Sequence, residues 1–242
     1  LVNYFIKGNI ALTKVDEDYP DNKLSGAVFE VYSDTNGDGK LDKDDTLLGE
    51  MKELDGGVYQ MSELRYGKYL VKETKAPTGF VLDENVYSVS VEENGKTYTV
   101  ENKAGVGFIN AAQKGSLKIV KTSSDGKVEG FSFRVTGVDY DQTFKTDKNG
   151  EIVIEGLRIG DYTVSEVSDK ASAGYILPAD KQATVKVDAT AIVQMHNEFR
   201  DTPKTGDDFN LGLWVSLAAL SVVGAGVLGF VGYKNRKKKK ED

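Results

Sequence analysis

Six polar residues stand where a β-strand would aim apolar ones. Side chains at i, i+2 and i+4 of a strand share a face. By that count Lys14 is in phase with Ile10 and Leu12, and Lys121 with Leu117 and Ile119. Glu73 is in phase with Tyr69 and Val71, and Glu166 with Tyr162 and Val164. Asn110 follows Val106 and Phe108, and Asn197 follows Val193 and Met195. The chain thus aims one lysine, one glutamate and one asparagine at an apolar interior, twice. An unpaired charge there costs several kcal/mol. Desolvation disfavours charge, so burial would remove the proton from the lysine and keep one on the glutamate. A neutral amine can attack a carboxamide carbon, and a neutral carboxylic acid can shuttle the protons. The plainer alternative is strand-end salt bridges, and it must explain the same placement occurring twice.

Strands are needed to hold these positions, and the sequence repeats accordingly. Residues 64–73 align without a gap on 157–166, sharing L-R-x-G-x-Y-x-V-x-E. Gly8 to Lys14 aligns on Gly115 to Lys121, and Val106 to Asn110 on Val193 to Asn197. Spacing between these blocks is longer in the first repeat, so loops differ while strands match. Alternating runs such as Tyr87, Val89 and Val91 read as strands. Asn94-Gly95 and Asn149-Gly150 predict type I′ hairpin turns, whose two central residues need positive φ. No stretch before residue 211 has a helical period. The reading is all-β, with two tandem Ig-like or prealbumin-like sandwiches over 8–112 and 115–200. Gln113-Lys114 joins them, a link short enough to limit bending. Residues 1–7 read as the end of a preceding domain or a linker. Residue 1 is leucine and no leader precedes the first strand, so a longer parent chain is expected.

On the paired L-R-x-G-x-Y-x-V-x-E segments and the two Lys–Glu–Asn sets, the chain resembles the Cna B-type, or SpaA-like, domains of bacterial pilins and adhesins. That resemblance implies an intramolecular isopeptide bond between lysine and asparagine side chains, promoted by glutamate. The implied sets are Lys14–Glu73–Asn110 and Lys121–Glu166–Asn197. Each bond forms once per molecule, so this is self-processing and not enzymatic turnover. The second repeat is the less typical: Ser168-Asp169-Lys170-Ala171 follows its glutamate, where the first has Thr74-Lys75-Ala76-Pro77.

Residues 34–45 place oxygen donors at loop positions 1, 3, 5, 9 and 12: Asp34, Asn36, Asp38, Asp42 and Asp45. Gly39 falls at position 6, where an EF-hand loop turns sharply, and Lys40 would offer its carbonyl at position 7. The loop resembles those of EF-hand and dockerin modules, with Asp45 in place of the EF-hand glutamate. It lies between strands, not helices. The resemblance implies Ca²⁺ in a structural role, since no helix pair exists to open.

Leu211 to Tyr233 carries no charge over 23 residues. As a helix it would span about 34 Å, enough for a membrane core. The basic tail 234–242 follows and should stay cytoplasmic, so residues before 211 face outward. Just ahead stand Thr202, Pro203, Lys204, Thr205 and Gly206. Motif, span and basic tail in this order resemble the cell-wall sorting signal of Gram-positive surface proteins, with Thr202 where leucine is common. That resemblance implies sortase cleavage between Thr205 and Gly206, then covalent attachment to peptidoglycan after a transient membrane stage.

Composition excludes several classes. Zero cysteine removes disulfides and thiolate chemistry, and the single histidine, His196, rules out a multi-histidine metal site. The net charge of -7 hides a more acidic body, because the tail is basic, and such a body disfavours nucleic-acid binding. The leading reading is the stalk of a sortase-anchored, adhesin-type surface protein, projecting an upstream region that meets a host or extracellular ligand. A polymerised pilus subunit is the first alternative. Against it, Tyr19-Pro20-Asp21 has aspartate where the Tyr-Pro-Lys segment of polymerising pilins needs lysine, and Lys23 comes two residues late. The wall tether of a secreted enzyme is the second.

Overall fold

A computed structural model describes residues 5–200, and every regular element among them is a strand. The sorting motif 202–206, the apolar stretch 211–233 and the basic tail lie outside the described residues. Among those described, no helix is long and apolar enough to cross a membrane.

The first repeat contains β1 (Lys7–Asp16), β2 (Val28–Ser33), β3 (Thr46–Glu50), β4 (Lys52–Glu53), β5 (Val58–Arg65), β6 (Gly67–Lys75), β7 (Val86–Val91), β8 (Thr97–Thr99) and β9 (Phe108–Asn110). One sheet runs β4-β5-β1-β8, with β9 also paired to β1, and the other runs β3-β2-β6-β7. The second repeat contains β10 (Lys114–Ser123), β11 (Ser132–Gly137), β12 (Tyr140–Lys145), β13 (Glu151–Arg158), β14 (Gly160–Val167), β15 (Tyr175–Ile176), β16 (Lys181–Val185) and β17 (Thr190–Phe199). Its sheets run β13-β10-β17-β15 and β12-β11-β14-β16. Each repeat closes its own apolar core. Ile10, Leu12, Phe29, Val71 and Phe108 fill the first, and Leu117, Ile119, Phe133, Val164 and Met195 the second. Burying such side chains contributes about 1.5–3 kcal/mol each.

The two Asn-Gly pairs are not hairpins. Asn94-Gly95 lies between β7, which pairs with β6, and β8, which pairs with β1. Asn149-Gly150 likewise links β12 to β13, in different sheets. Only the glycines take positive φ, 78° and 77°. A type I′ turn serves strands that pair with each other, and these pass between layers instead.

The repeated L-R-x-G-x-Y segment is the tight β5–β6 or β13–β14 connection. Tyr69 Oη donates to the Arg65 carbonyl at 2.6 Å, and Tyr162 Oη to the Arg158 carbonyl at 2.8 Å. Each tyrosine therefore fixes the backbone of the arginine four residues before it. Gly160 takes φ +142°, and a Cβ there would stand 2.6 Å from Val138 Cγ2. Glycine satisfies both constraints.

Gln113 connects the sandwiches: its N–H donates to the Gly79 carbonyl and its own carbonyl accepts from Ile159. Beside it Arg158 grips Asp16 with two bonds of 2.6 and 2.8 Å and reaches Asp18 at 3.0 Å. Its guanidinium carbon lies 4.9 Å from the ring centre of Tyr19 and 5.9 Å from that of Phe80. Lys114 adds a 3.2 Å ion pair to Asp18. A bidentate arginine on a carboxylate, with aromatic rings beside it, is directional as well as attractive. The Asp16 side chain is 3% exposed. Burial alone would raise its pKa, but the hydrogen bonds from Arg158 and nearby backbone hold it below the usual range.

Candidate functional site

The first set sits between the two sheets of its sandwich. Parallel pairing of β1 with β9 puts Lys14 opposite Phe108 and Asp16 opposite Asn110. Lys14 and Asn110 are therefore offset by two residues on adjacent strands, with both side chains turned into the core. Glu73 arrives from β6 in the facing sheet, opposite Phe29 of β2. Lys14 and Glu73 are fully buried and Asn110 nearly so. Asn110 Nδ2 donates to both Glu73 oxygens at 2.9 Å. Lys14 Nζ lies 3.8 Å from Glu73 Oε1, beyond hydrogen-bond reach, and donates instead to the Phe108 carbonyl at 3.1 Å. The Phe108 ring centre is 4.9 Å from the same nitrogen.

Burial dominates the electrostatics. Desolvation pushes the Lys14 amine down to about 8, although Glu73 and Asp83 pull the other way. Desolvation pushes the Glu73 carboxyl up, opposed by the Asp83 amide, Asn110 and Lys14. Both shifts favour a neutral amine beside a neutral acid.

The second sandwich repeats the placement. Parallel pairing of β10 with β17 sets Lys121 opposite Met195 and Ser123 opposite Asn197, the same two-residue offset. Glu166 again comes from the facing sheet, on β14 opposite Phe133. Asn197 Nδ2 donates to Glu166 Oε1 at 2.6 Å. Lys121 Nζ donates to the Thr122 carbonyl at 2.6 Å and lies 4.2 Å from the Phe131 ring centre. Burial lowers the lysine pKa and raises that of the glutamate. His196, next to Asn197, faces outward between Thr122 and Glu198.

The sets differ in one support that the sequence did not reveal. The Asp83 N–H donates to Glu73 Oε2 at 2.9 Å. The Asp83 carboxylate is held by Tyr87 Oη and Asn102 Nδ2, at 2.7 and 2.8 Å. Glu166 Oε2 has no such donor and stays unpaired in the core. The Oδ1 atoms of Asn110 and Asn197 are also buried and unpaired. Tyr87 reads as part of an alternating strand and Asp83 carries no signal of its own, so nothing local points to this role. A cleft lined by Glu17, Asp83, Tyr87, Asn102 and Asn110 opens beside the first set.

The acidic loop follows β2. Asp34 accepts from the amides of Gly37 and Gly39, Asn36 from Asp38, Asp38 from Lys40, and Asp42 from Asp44. Asp45 accepts from Thr35 and Asp42. Each acid thus closes a local turn. Among the described residues, no three His, Cys, Asp or Glu side chains gather into a metal-holding group. As placed, these side-chain oxygens accept from the loop's own backbone amides.

The sequence profile of the SpaA prealbumin-like fold domain matches residues 8–104 and 115–199. No curated protein sequence matches significantly. Among solved structures, the Bacillus anthracis TIE protein is 25% identical with TM-score 0.59, over 80% of this chain and 34% of that one. This chain therefore spans about a third of the TIE protein's length. The Streptococcus agalactiae minor pilin GBS52 is 17% identical with TM-score 0.36, over 83% of this chain and 100% of that one. The shaft pilin SpaA of Lactobacillus rhamnosus GG, as a D295N mutant, is 16% identical with TM-score 0.37, over 79% and 98%. With two prealbumin-like sandwiches matched over most of its length, the chain belongs to the SpaA domain family.

Proposed function

We propose that this chain is the stalk of a sortase-anchored surface protein whose two domains lock themselves with Lys14–Asn110 and Lys121–Asn197 isopeptide bonds. The observation that carries the reading is the buried lysine and asparagine at one register offset in both sandwiches, each asparagine bonded to a glutamate of the facing sheet that is fully buried in the first sandwich and half-buried in the second. In the reaction the neutral lysine Nζ attacks the asparagine Cγ, forming a C–N bond. Glu73 or Glu166 takes the proton that Nζ sheds and delivers one to Nδ2, which already lies against it. The old C–N bond breaks and ammonia leaves. In the first domain the cleft beside Asn110 offers ammonia a way out. Packing buries the lysine fully, and that desolvation favours the neutral amine.

The anchoring half of the reading rests on Thr202–Gly206, the uncharged stretch 211–233 and the basic tail. Partners would be sortase and peptidoglycan, with a host or extracellular ligand met by an upstream region. Calcium in the 34–45 loop remains a separate proposal with its own test. The crosslinks are tested by protease digestion and mass mapping of the purified chain. Branched peptides joining Lys14 to Asn110, and Lys121 to Asn197, are expected. Only linear peptides at those four residues would refute the reading.

A further inference from the structure

The arginine of L-R-x-G-x-Y occurs twice but is engaged once. Arg158 sits half-buried on Asp16 and Asp18, carboxylates of the sandwich before its own. Arg65 holds the same place in the first sandwich. It pairs with Lys7 across β1 and β5 as Arg158 pairs with Lys114 across β10 and β13. Its carbonyl is gripped by Tyr69 as that of Arg158 is by Tyr162. The Tyr66 amide donates to the Ile6 carbonyl, as the Ile159 amide does to Gln113. Residues 6 and 7 therefore enter the first sandwich as residues 113 and 114 enter the second. Yet Arg65 is exposed, with its guanidinium carbon 4.4 Å from the ring centre of Phe5, which is itself 67% exposed. Tyr66 beside it is 64% exposed. Among the described residues no ion pair includes Arg65.

We propose that Arg65, with Phe5 and Tyr66, is a docking face for another sandwich domain of this kind, one whose first strand ends in two carboxylates spaced as Asp16 and Asp18 are. The occupant's chemistry is read from the filled copy of the joint in the same chain. A planar cation flanked by exposed aromatics matches a carboxylate pair next to a tyrosine, which is what the first sandwich offers to Arg158. The joint has a direction. Ser123 holds the place of Asp16, each opposite the core asparagine of its own sandwich. The nearby Asp125 is taken by Ser123 and Tyr175. The second sandwich therefore presents no equivalent acid pair for a further arginine, while the first presents an open arginine.

The test duplicates residues 5–111 in tandem within the full chain, so that an added copy offers its Asp16 and Asp18 to the Arg65 that follows it, with Phe5 kept beside that arginine. Spin labels, one on each sandwich flanking a joint, report the distance distribution by pulsed electron resonance. A narrow distribution is expected at the new joint, as at the native one. Arg65→Ala in the downstream copy should abolish the narrow peak there and leave the native joint unchanged, and Arg158→Ala should do the reverse. Arg65→Lys, which keeps charge but loses the fork, should also lose the narrow peak. Intact melting of each variant confirms that its sandwiches are folded. A broad distribution with Arg65 present, or a narrow one that survives Arg65→Ala, would overturn the proposal.

Discussion

Glu73→Gln separates crosslinking from folding in the first sandwich. Glutamine keeps the shape of the side chain and can still hydrogen-bond Asn110, but it cannot carry a proton between Nζ and Nδ2. The wild-type chain should weigh less than its sequence mass by two ammonias, about 34 Da, and the variant by one, about 17 Da. The thermal consequence follows from the topology. Lys14 on β1 and Asn110 on β9 close a loop of about 100 residues, nearly the whole sandwich. Closing such a loop restricts the unfolded chain by about 4.7 kcal/mol on the chain-entropy estimate used for disulfides. In a domain of that size 1 kcal/mol moves the melting temperature by about 4–8 °C. The first sandwich of Glu73→Gln should therefore melt roughly 20–35 °C below that of the wild type, with the second little changed. Lys14→Met, with and without Glu73→Gln, measures what the glutamine costs in packing when no bond can form, and that cost is subtracted. Calorimetry and intact-mass spectrometry on the same samples decide the matter. An unshifted wild-type mass refutes the reasoning, and so does a Glu73→Gln chain that still loses both ammonias.

Three other outcomes are expected. In an Asn110→Ala chain, which cannot crosslink its first sandwich, Lys14 titrates near 8 when folded and near its ordinary value of 10.5 when unfolded. The unfolded state then binds more protons between those values, so stability should rise with pH across that window by up to roughly 3 kcal/mol. The raised Glu73 pKa acts oppositely, lowering stability as pH climbs from 4.5 toward its folded value. Denaturant melts at a series of pH values check both signs, and a flat profile from 8 to 10.5 would remove the buried-amine argument. At the 34–45 loop, calcium should raise the melting temperature, and Asp38→Asn with Asp42→Asn should cancel the rise. Identical melting in calcium and in chelator would assign those acids to turn formation alone. At the sorting motif, Thr205→Ala in sortase-competent Gram-positive cells should shift the protein from the cell-wall fraction to the membrane fraction, and unchanged wall attachment would exclude that threonine as the cleavage site.

Local pattern carried much of this protein. The two-residue period of strands is a property of the backbone, so it assigned Lys14, Glu73 and Asn110, and their second-repeat partners, to the apolar face before any tertiary contact was known. The internal repeat doubled the weight of that assignment. Which strand lies beside which is set by contacts distant in sequence, and there local reading failed. Asn94-Gly95 and Asn149-Gly150 have hairpin composition, yet their flanking strands belong to different sheets. The Asp83 amide reaches Glu73 only because the chain after β6 folds back over the site. Arg65 and Arg158 are the same letter in the same motif. One grips two carboxylates and the other lies open among the described residues, because the partner of Arg158 comes from a different sandwich and not from the motif. Sequence period determined which faces are buried; tertiary structure decided which buried groups meet, since meeting depends on sheet order and register, which no short stretch encodes.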